Sequence, residues 1–174
     1  DLDFSLLKAD PNFTLDTYHQ AVKEELKSFG FNVDIQAKKK TKESVVQSAF
    51  IKTNTLEHLI SIEMPANLGR GIHKGDLLKV RFEVDTDPPG IYPTESKFLT
   101  APAAFSVRTF TLPHLFAGKM HATLFRAWKN RIKGRDWYDF IWFLSRRTPF
   151  SLSHFEDCMH QSGTLEKSTK LSKE

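Results

Sequence analysis

The chain has 174 residues, which suits one folded domain or a small domain with a helical extension. Its hydrophobic content of 40% is typical of a globular protein, and no apolar run approaches the ~18 residues of a membrane span. The net charge of +4 favours an anionic partner such as a nucleotide or RNA, and the single cysteine excludes an internal disulfide.

A strand is predicted at the start of the chain, because polar and apolar side chains alternate over residues 1–6. The alternation puts Asp1 and Asp3 on one face. An amphipathic helix is predicted over about 15–29, where Gly30 provides the left-handed residue that ends it. Further strands are predicted near 32–37, 44–52, 57–64 and 77–86, and their short joints indicate an antiparallel or mixed sheet.

The second half of the sequence is predicted to be helical. After an irregular or extended segment up to Phe110, helices are expected over about 112–127, 136–145 and 154–161. Ser153 and Glu156 have the spacing of a capping box at the start of the last helix. The fold class is therefore α+β, with a sheet-rich part over 1–100, a helical part over 101–162 and a flexible tail over 163–174.

Two sets of carboxylates are candidates for a metal site. Asp1 and Asp3 point the same way on a strand, roughly 6–7 Å apart at the stem, so both can reach one Mg²⁺. Glu83 and Asp85 share the polar face of the strand over 77–86, and either acid completes a three-carboxylate cluster if that strand pairs near the first. The alternative for both sets is a solvated, charged sheet face.

Cations and acids in the helical half suggest an anion site. Lys119 and Arg126 fall on the apolar stripe of their helix, where a cation needs an anionic partner such as a phosphate or else extends its charged end to water. Arg135 precedes Asp136 and Asp139, two acids on one helical face. Capping the following helix is the simpler role for Asp136.

Taken together, these segments resemble the AbiEii toxin family of nucleotidyltransferases over roughly residues 1–160. The similar segments are Asp1–Leu7, Lys79–Pro89, Leu115–Arg126 and Arg135–Asp139. The resemblance implies a nucleotidyltransferase fold of the DNA polymerase beta type followed by a helical part. It implies Asp1 and Asp3 as metal ligands, Lys119 near the triphosphate, and Asp136 or Asp139 as a catalytic carboxylate. We expect Arg126 and Arg135 to contribute to nucleotide binding.

The resemblance also implies partners. We expect a metal-dependent transfer, with Mg²⁺ or Mn²⁺, from a nucleoside triphosphate such as GTP or a pyrimidine triphosphate to an acceptor such as tRNA. A cytoplasmic toxin with a winged-helix antitoxin encoded nearby is expected, without a membrane. The alternatives are a catalytically inactive domain of the same fold that binds RNA or protein, and a nucleotide-modifying enzyme outside any toxin system.

Two features depart from this interpretation or restrict it. The Gly/Ser turn that precedes Asp-x-Asp in the family is absent from these residues and is expected upstream of Asp1, so this stretch of chain is expected to be inactive by itself. A straight helix would place Lys119 about 20 Å from residue 133, so Lys119 and Asp136 can share a site only if the helix ends before Gly134.

Overall fold

The computed structural model describes residues 2–37, 55–63, 77–101, 103–125 and 134–172. The chain divides into two compact units, Asp1–Pro88 and Pro89–Glu174. Asp1, Arg126 and the strand predicted near 44–52 lie outside the described residues. Within the described ranges the protein has six strands and four helices, which is consistent with the predicted α+β class.

The first unit contains a four-stranded sheet in the order β1-β4-β3-β2. Its strands are β1 (Leu2–Ser5), β2 (Asn32–Ala37), β3 (Thr55–Glu63) and β4 (Leu77–Asp85). β1 runs parallel to β4, whereas β3 is antiparallel to both β2 and β4. The sheet is therefore mixed, and its first and last strands along the chain lie side by side.

Helix α1 (Asp16–Ser28) lies on the apolar face of this sheet. Leu15, only 3% exposed, and Val22 line one cavity with Ile60 and Phe82. Gly30 follows the helix with a φ of 83°, which confirms its predicted left-handed conformation. Because side chains alternate along a strand, the acids of β1 and β4 lie on the face opposite α1.

The second unit begins with an antiparallel pair of strands, β5 (Thr94–Leu99) and β6 (Phe105–Phe110). The sequence predicts an irregular or extended segment here; the segment is extended, and its pairing into two strands is not predicted. Most side chains of both strands are at least partly exposed, with Phe98 at 73%. In β5 the apolar residues Phe98 and Leu99 are adjacent rather than alternating, so this strand lacks the pattern that reveals a half-buried strand.

Three helices complete the second unit: α2 (Leu112–Phe125), α3 (Gly134–Ser145) and α4 (Leu152–Ser162). Phe116 of α2 stacks on Phe143 of α3 with ring centroids 4.9 Å apart. Ala117, fully buried on α2, clusters with Phe155 and Met159 of α4. Among the described helices, none is both long and apolar enough to cross a membrane.

The start of α4 differs from its prediction. The N-cap is Ser151, whose hydroxyl accepts from the backbone N–H of His154 at 3.4 Å, so the capping box of Ser153 and Glu156 is wrong. Glu156 instead accepts from the backbone N–H of Leu171 at 2.7 Å. Leu165 and Leu171 pack against the α2–α4 cluster, contacts that the polar composition after α4 does not predict.

Candidate active site

Asp3 and Glu83 lie side by side on the polar face of the first sheet. They are direct partners in the parallel pairing of β1 with β4, in which Asp3 faces Glu83 and Ser5 faces Asp85. Neighbouring strands are about 4.8 Å apart, and partners in register point to the same face. The two carboxylates therefore leave the sheet next to each other, as the alternation in the two separate segments predicts.

Glu83 and Asp85 differ in their surroundings, although both are half-buried. A carboxylate oxygen of Glu83 lies 3.2 Å from Nη1 of Arg81, its neighbour on the same face of β4. Oδ1 of Asp85 accepts from the backbone N–H of Asp87 at 3.2 Å, in the turn that follows the strand. The register brings Glu83 beside Asp3 and puts Asp85 two register positions farther along.

Lys119 and Asp139 form an ion pair in the second unit. Lys119 Nζ on α2 lies 2.7 Å from Asp139 Oδ2 on α3, and the two side chains are 44% and 34% exposed. Lys119 interrupts the apolar stripe of its helix, and Asp139 is the anionic neighbour that a cation in such a place requires. The ion pair joins two helices, α2, which extends to Phe125, and α3, which begins at Gly134.

Asp136 differs from Asp139 in exposure. Its side chain is 2% exposed in the first turn of α3, and Nε of Arg135 lies 3.9 Å from Oδ1. α3 already begins at Gly134, so Asp136 lies inside the helix and the predicted capping role is wrong. Of the two acids, only Asp139 is open enough to exchange its partner for a bound ligand.

A polar cluster that the sequence does not predict lies on the apolar face of the first sheet. Nε2 of His19 on α1 lies 2.7 Å from Nδ1 of His58 on β3, and Asp16 Oδ1 lies 3.7 Å from Nδ1 of His19. The spacing of Asp16 and His19 on one helix face is visible in the sequence. Their contact with His58 depends on where α1 lies on the sheet, and no local pattern reveals that.

A second unpredicted cluster surrounds Tyr92 in the second unit. The Tyr92 hydroxyl donates to Asp157 Oδ2 at 2.7 Å, and its ring stacks on His154 and His114 with centroids 3.8 and 5.0 Å away. Burial, and then the hydrogen bond to Asp157, raises the pKa of Tyr92 far above its ordinary value. Burial lowers the pKa of His114 below its ordinary value.

The paired acids on β1 and β4 suit a hard divalent cation. Mg²⁺ binds carboxylate oxygens, commonly one or two, and takes its remaining ligands from water and phosphates. Adjacent carboxylates on an open sheet face provide that donor set and leave room for a triphosphate. The residues present therefore fit a Mg²⁺ ion.

Comparison with known proteins identifies the family. Residues 1–168 match the family described as nucleotidyl transferase AbiEii toxin, type IV toxin–antitoxin system. No curated protein and no solved structure matches the chain. Because the match spans nearly the whole sequence and includes the paired acids and the Lys119–Asp139 pair, the chain belongs to the AbiEii family of nucleotidyltransferase toxins.

Proposed function

We propose that the protein transfers a nucleotide from a nucleoside triphosphate to an acceptor hydroxyl, such as one on tRNA, as the toxin of a toxin–antitoxin system. The in-register pairing of Asp3 with Glu83 carries this proposal. Two carboxylates from strands distant in sequence leave one face of the sheet as neighbours, and Mg²⁺ is commonly held by one or two carboxylates. A merely solvated charged face has no need for such matched acids.

The metal side of the reaction rests on Asp3 and Glu83. Bound Mg²⁺ or Mn²⁺ supplies charge neutralisation for the α-phosphate and the leaving pyrophosphate. Asp3 and Glu83 would hold and orient the cation, and Asp85, two register positions farther along, extends the acidic face. Asp1, which lies outside the described residues, is assigned to the same site from the family resemblance alone.

The phosphate side is assigned to Lys119 from the family resemblance alone. Its side chain is 44% exposed, so its ammonium group can exchange Asp139 for the β- or γ-phosphate as a compact positive charge. Arg135, 68% exposed, and Arg126 add cationic charge for the nucleotide. The acceptor oxygen attacks the α-phosphorus, the bond to pyrophosphate breaks, and a carboxylate takes the proton of the hydroxyl. Asp139 suits that role better than the buried Asp136 because it is accessible.

The partners follow from the family. A cognate antitoxin, expected to be a winged-helix protein encoded nearby, would bind or counteract this toxin. GTP or a pyrimidine triphosphate is the expected substrate. The net charge of +4 favours a polyanionic acceptor, and binding through phosphates would weaken as salt rises.

A label-transfer assay tests the proposal. The intact protein is incubated with Mg²⁺, total RNA and each of the four α-labelled nucleoside triphosphates in turn. We expect one triphosphate to label RNA, and Asp3→Asn or Glu83→Gln to reduce labelling roughly 100-fold or more, since a metal supplies several kcal/mol in such reactions. Asp85→Asn, two register positions away, should reduce labelling less.

Glu63→Gln is the matched control, because Glu63 lies on the same sheet face at the opposite end of β3 and is exposed. It should retain full activity. Unchanged labelling by both Asp3→Asn and Glu83→Gln would disprove the metal site. RNA binding without labelling by any triphosphate would favour the inactive, RNA-binding alternative.

A further inference from the structure

A histidine lies in the middle of the apolar face of the first sheet. His58 on β3 is 6% exposed and is the register partner of Phe82 on β4. Apolar side chains, including Ile35 and Ile60, line the same cavity under α1. A polar ring is costly in such a place unless a partner compensates it. The position of His58 therefore calls for a specific partner.

The partner of His58 is His19, in the first turn of α1. His19 approaches His58 to 2.7 Å between ring nitrogens, and Asp16 lies 3.7 Å from the other nitrogen of His19. One ligand atom from each of Asp16, His19 and His58 lies within 4.8 Å of the other two. Two imidazoles and one carboxylate thus converge from a helix and a strand.

We propose that Asp16, His19 and His58 form a binding site for a divalent transition metal, with zinc as the best match. Zinc takes imidazole nitrogens and carboxylate oxygens in a tetrahedron, with Zn–N distances of about 2.0–2.1 Å. Two nitrogens on such an ion are then roughly 3.3 Å apart. The rings of His19 and His58 need to separate by only about half an ångström, which a side chain on the half-exposed α1 allows.

The site is distinct from the one proposed for nucleotide transfer. His58 is paired with Phe82, whereas Glu83, the next residue of β4, points to the opposite face with Asp3. The donor atoms differ too, because imidazole selects zinc-like ions and a carboxylate pair selects Mg²⁺. The proposal therefore does not depend on the proposed function.

Metal binding here would fasten the start of α1 to β3. Asp16 is 72% exposed and His19 24% exposed, so an ion reaches the site from solvent while His58 anchors it from the core. Three protein ligands leave a fourth position for water or an added ligand. An ion that binds only the folded state stabilises that state, so the first unit should unfold at a higher temperature when zinc is present.

Cobalt titration of the intact, chelator-treated protein tests the site. Tetrahedral Co²⁺ absorbs visible light strongly, and it reports directly on nitrogen and oxygen ligation. We expect one equivalent of Co²⁺ to bind, Zn²⁺ to displace it, and excess Mg²⁺ to leave the spectrum unchanged. No absorption at stoichiometric Co²⁺, or displacement by Mg²⁺, would overturn the proposal.

Variants at the exposed end of the site avoid the folding risk of replacing His58. His19→Gln and Asp16→Ala should each weaken Co²⁺ binding at least 10-fold, the size of effect that ligand and orienting groups have in metal sites. Glu24→Ala is the matched control, an exposed acid on the same helix that bonds Gln20. Wild-type affinity in either His19→Gln or Asp16→Ala would overturn the three-residue site, and Asp3→Asn should bind Co²⁺ normally.

Discussion

Lys119 is held by a single described carboxylate, and its exposure decides what its loss costs. Exposed ion pairs contribute ~0–1 kcal/mol to stability, since solvent screens both charges. The Lys119–Asp139 pair is 44% and 34% exposed, so it belongs to this class. A role in binding phosphate would explain the lysine better than a role in folding.

Lys119→Ala should therefore abolish nucleotide transfer while it changes the free energy of unfolding by less than about 1 kcal/mol. Transfer is measured with labelled triphosphate and stability by urea unfolding. Lys97→Ala is the matched control, because Lys97 also pairs with an acid at 2.7 Å and is 54% exposed. Full transfer activity in Lys119→Ala would rule out the phosphate role.

The neighbouring acids Asp3 and Glu83 could be predicted from sequence, whereas the contact between His19 and His58 could not. Alternation along two strands places Asp3 and Glu83 each on a polar face, and their pairing then brings them together. The sequence does not show whether Glu83 or Asp85 is the neighbour of Asp3, because that depends on the register of β1 with β4, which tertiary packing sets. His58 lies on the apolar side of its strand, where the sequence pattern by itself cannot distinguish a ligand from a core residue.

At the scale of elements, the loop before β5 is tied to α4 through Tyr92. The Tyr92 ring is fixed by its stacking on His154 and by its hydrogen bond to Asp157. A Cβ added at Gly90 would lie 2.7 Å from the Tyr92 hydroxyl and 2.9 Å from the adjoining ring carbon. The ring has no free direction in which to move without breaking these contacts.

Gly90→Ala should thus destabilise the protein by about 1–3 kcal/mol, the typical cost of overpacking, measured as the free energy of unfolding. Gly118→Ala provides the contrast. Gly118 lies within α2 and an added Cβ meets nothing within 4 Å, so alanine should stabilise by about 0.5–1 kcal/mol. Equal stability of the two variants would contradict the close approach at Gly90.

Helices were easier to predict than the exposed ribbon. The helices over Asp16–Ser28 and 134–145 have apolar faces that recur at helical spacing, whereas the helix over 112–125 is apolar on most sides. β5 and β6 have no buried face, and their pairing is therefore invisible in the pattern. The sequence predicts the start of α4 two residues late. Ser151 and Ser153 are equally good caps in sequence, and only the structure shows that Ser151 is the cap.

Two half-buried ionisable groups of the second unit, His114 and Tyr92, limit its stability at both ends of the pH scale. His114 has a pKa lowered by burial, so the unfolded chain binds more protons below its ordinary value of 6.5. Tyr92 has a raised pKa, so the unfolded chain loses more protons above the ordinary value of 10.0. The rings of Tyr92 and His154 pack against His114, and Asp157 accepts a hydrogen bond from Tyr92. Nδ1 of His114 has no hydrogen-bond partner among the described residues.

The free energy of unfolding should fall as pH drops below about 6.5 and levels off below the folded pKa of His114. It should fall again above pH 10, where ionised Tyr92 is available only to the unfolded chain. Urea unfolding between pH 5 and 11 measures both limbs. His114→Phe should reduce the acid limb and leave the part due to His58, whose pKa burial also lowers. His160→Gln, at a histidine bonded to the Thr169 carbonyl, should retain the whole limb. An acid limb unchanged in His114→Phe would assign it elsewhere.

The pairing of β1 with β4 also bears on when the toxin becomes active. Residue 3 meets residue 83 only after β4 has been synthesised and inserted beside β1. Contacts this far apart in sequence form slowly, since a long loop must close before they contribute. With the proposed function, a ribosome-bound chain that ends before β4 lacks one of its two metal-binding acids. The ribosome has therefore translated the toxin past residue 83 before the toxin can modify the RNA on which translation depends.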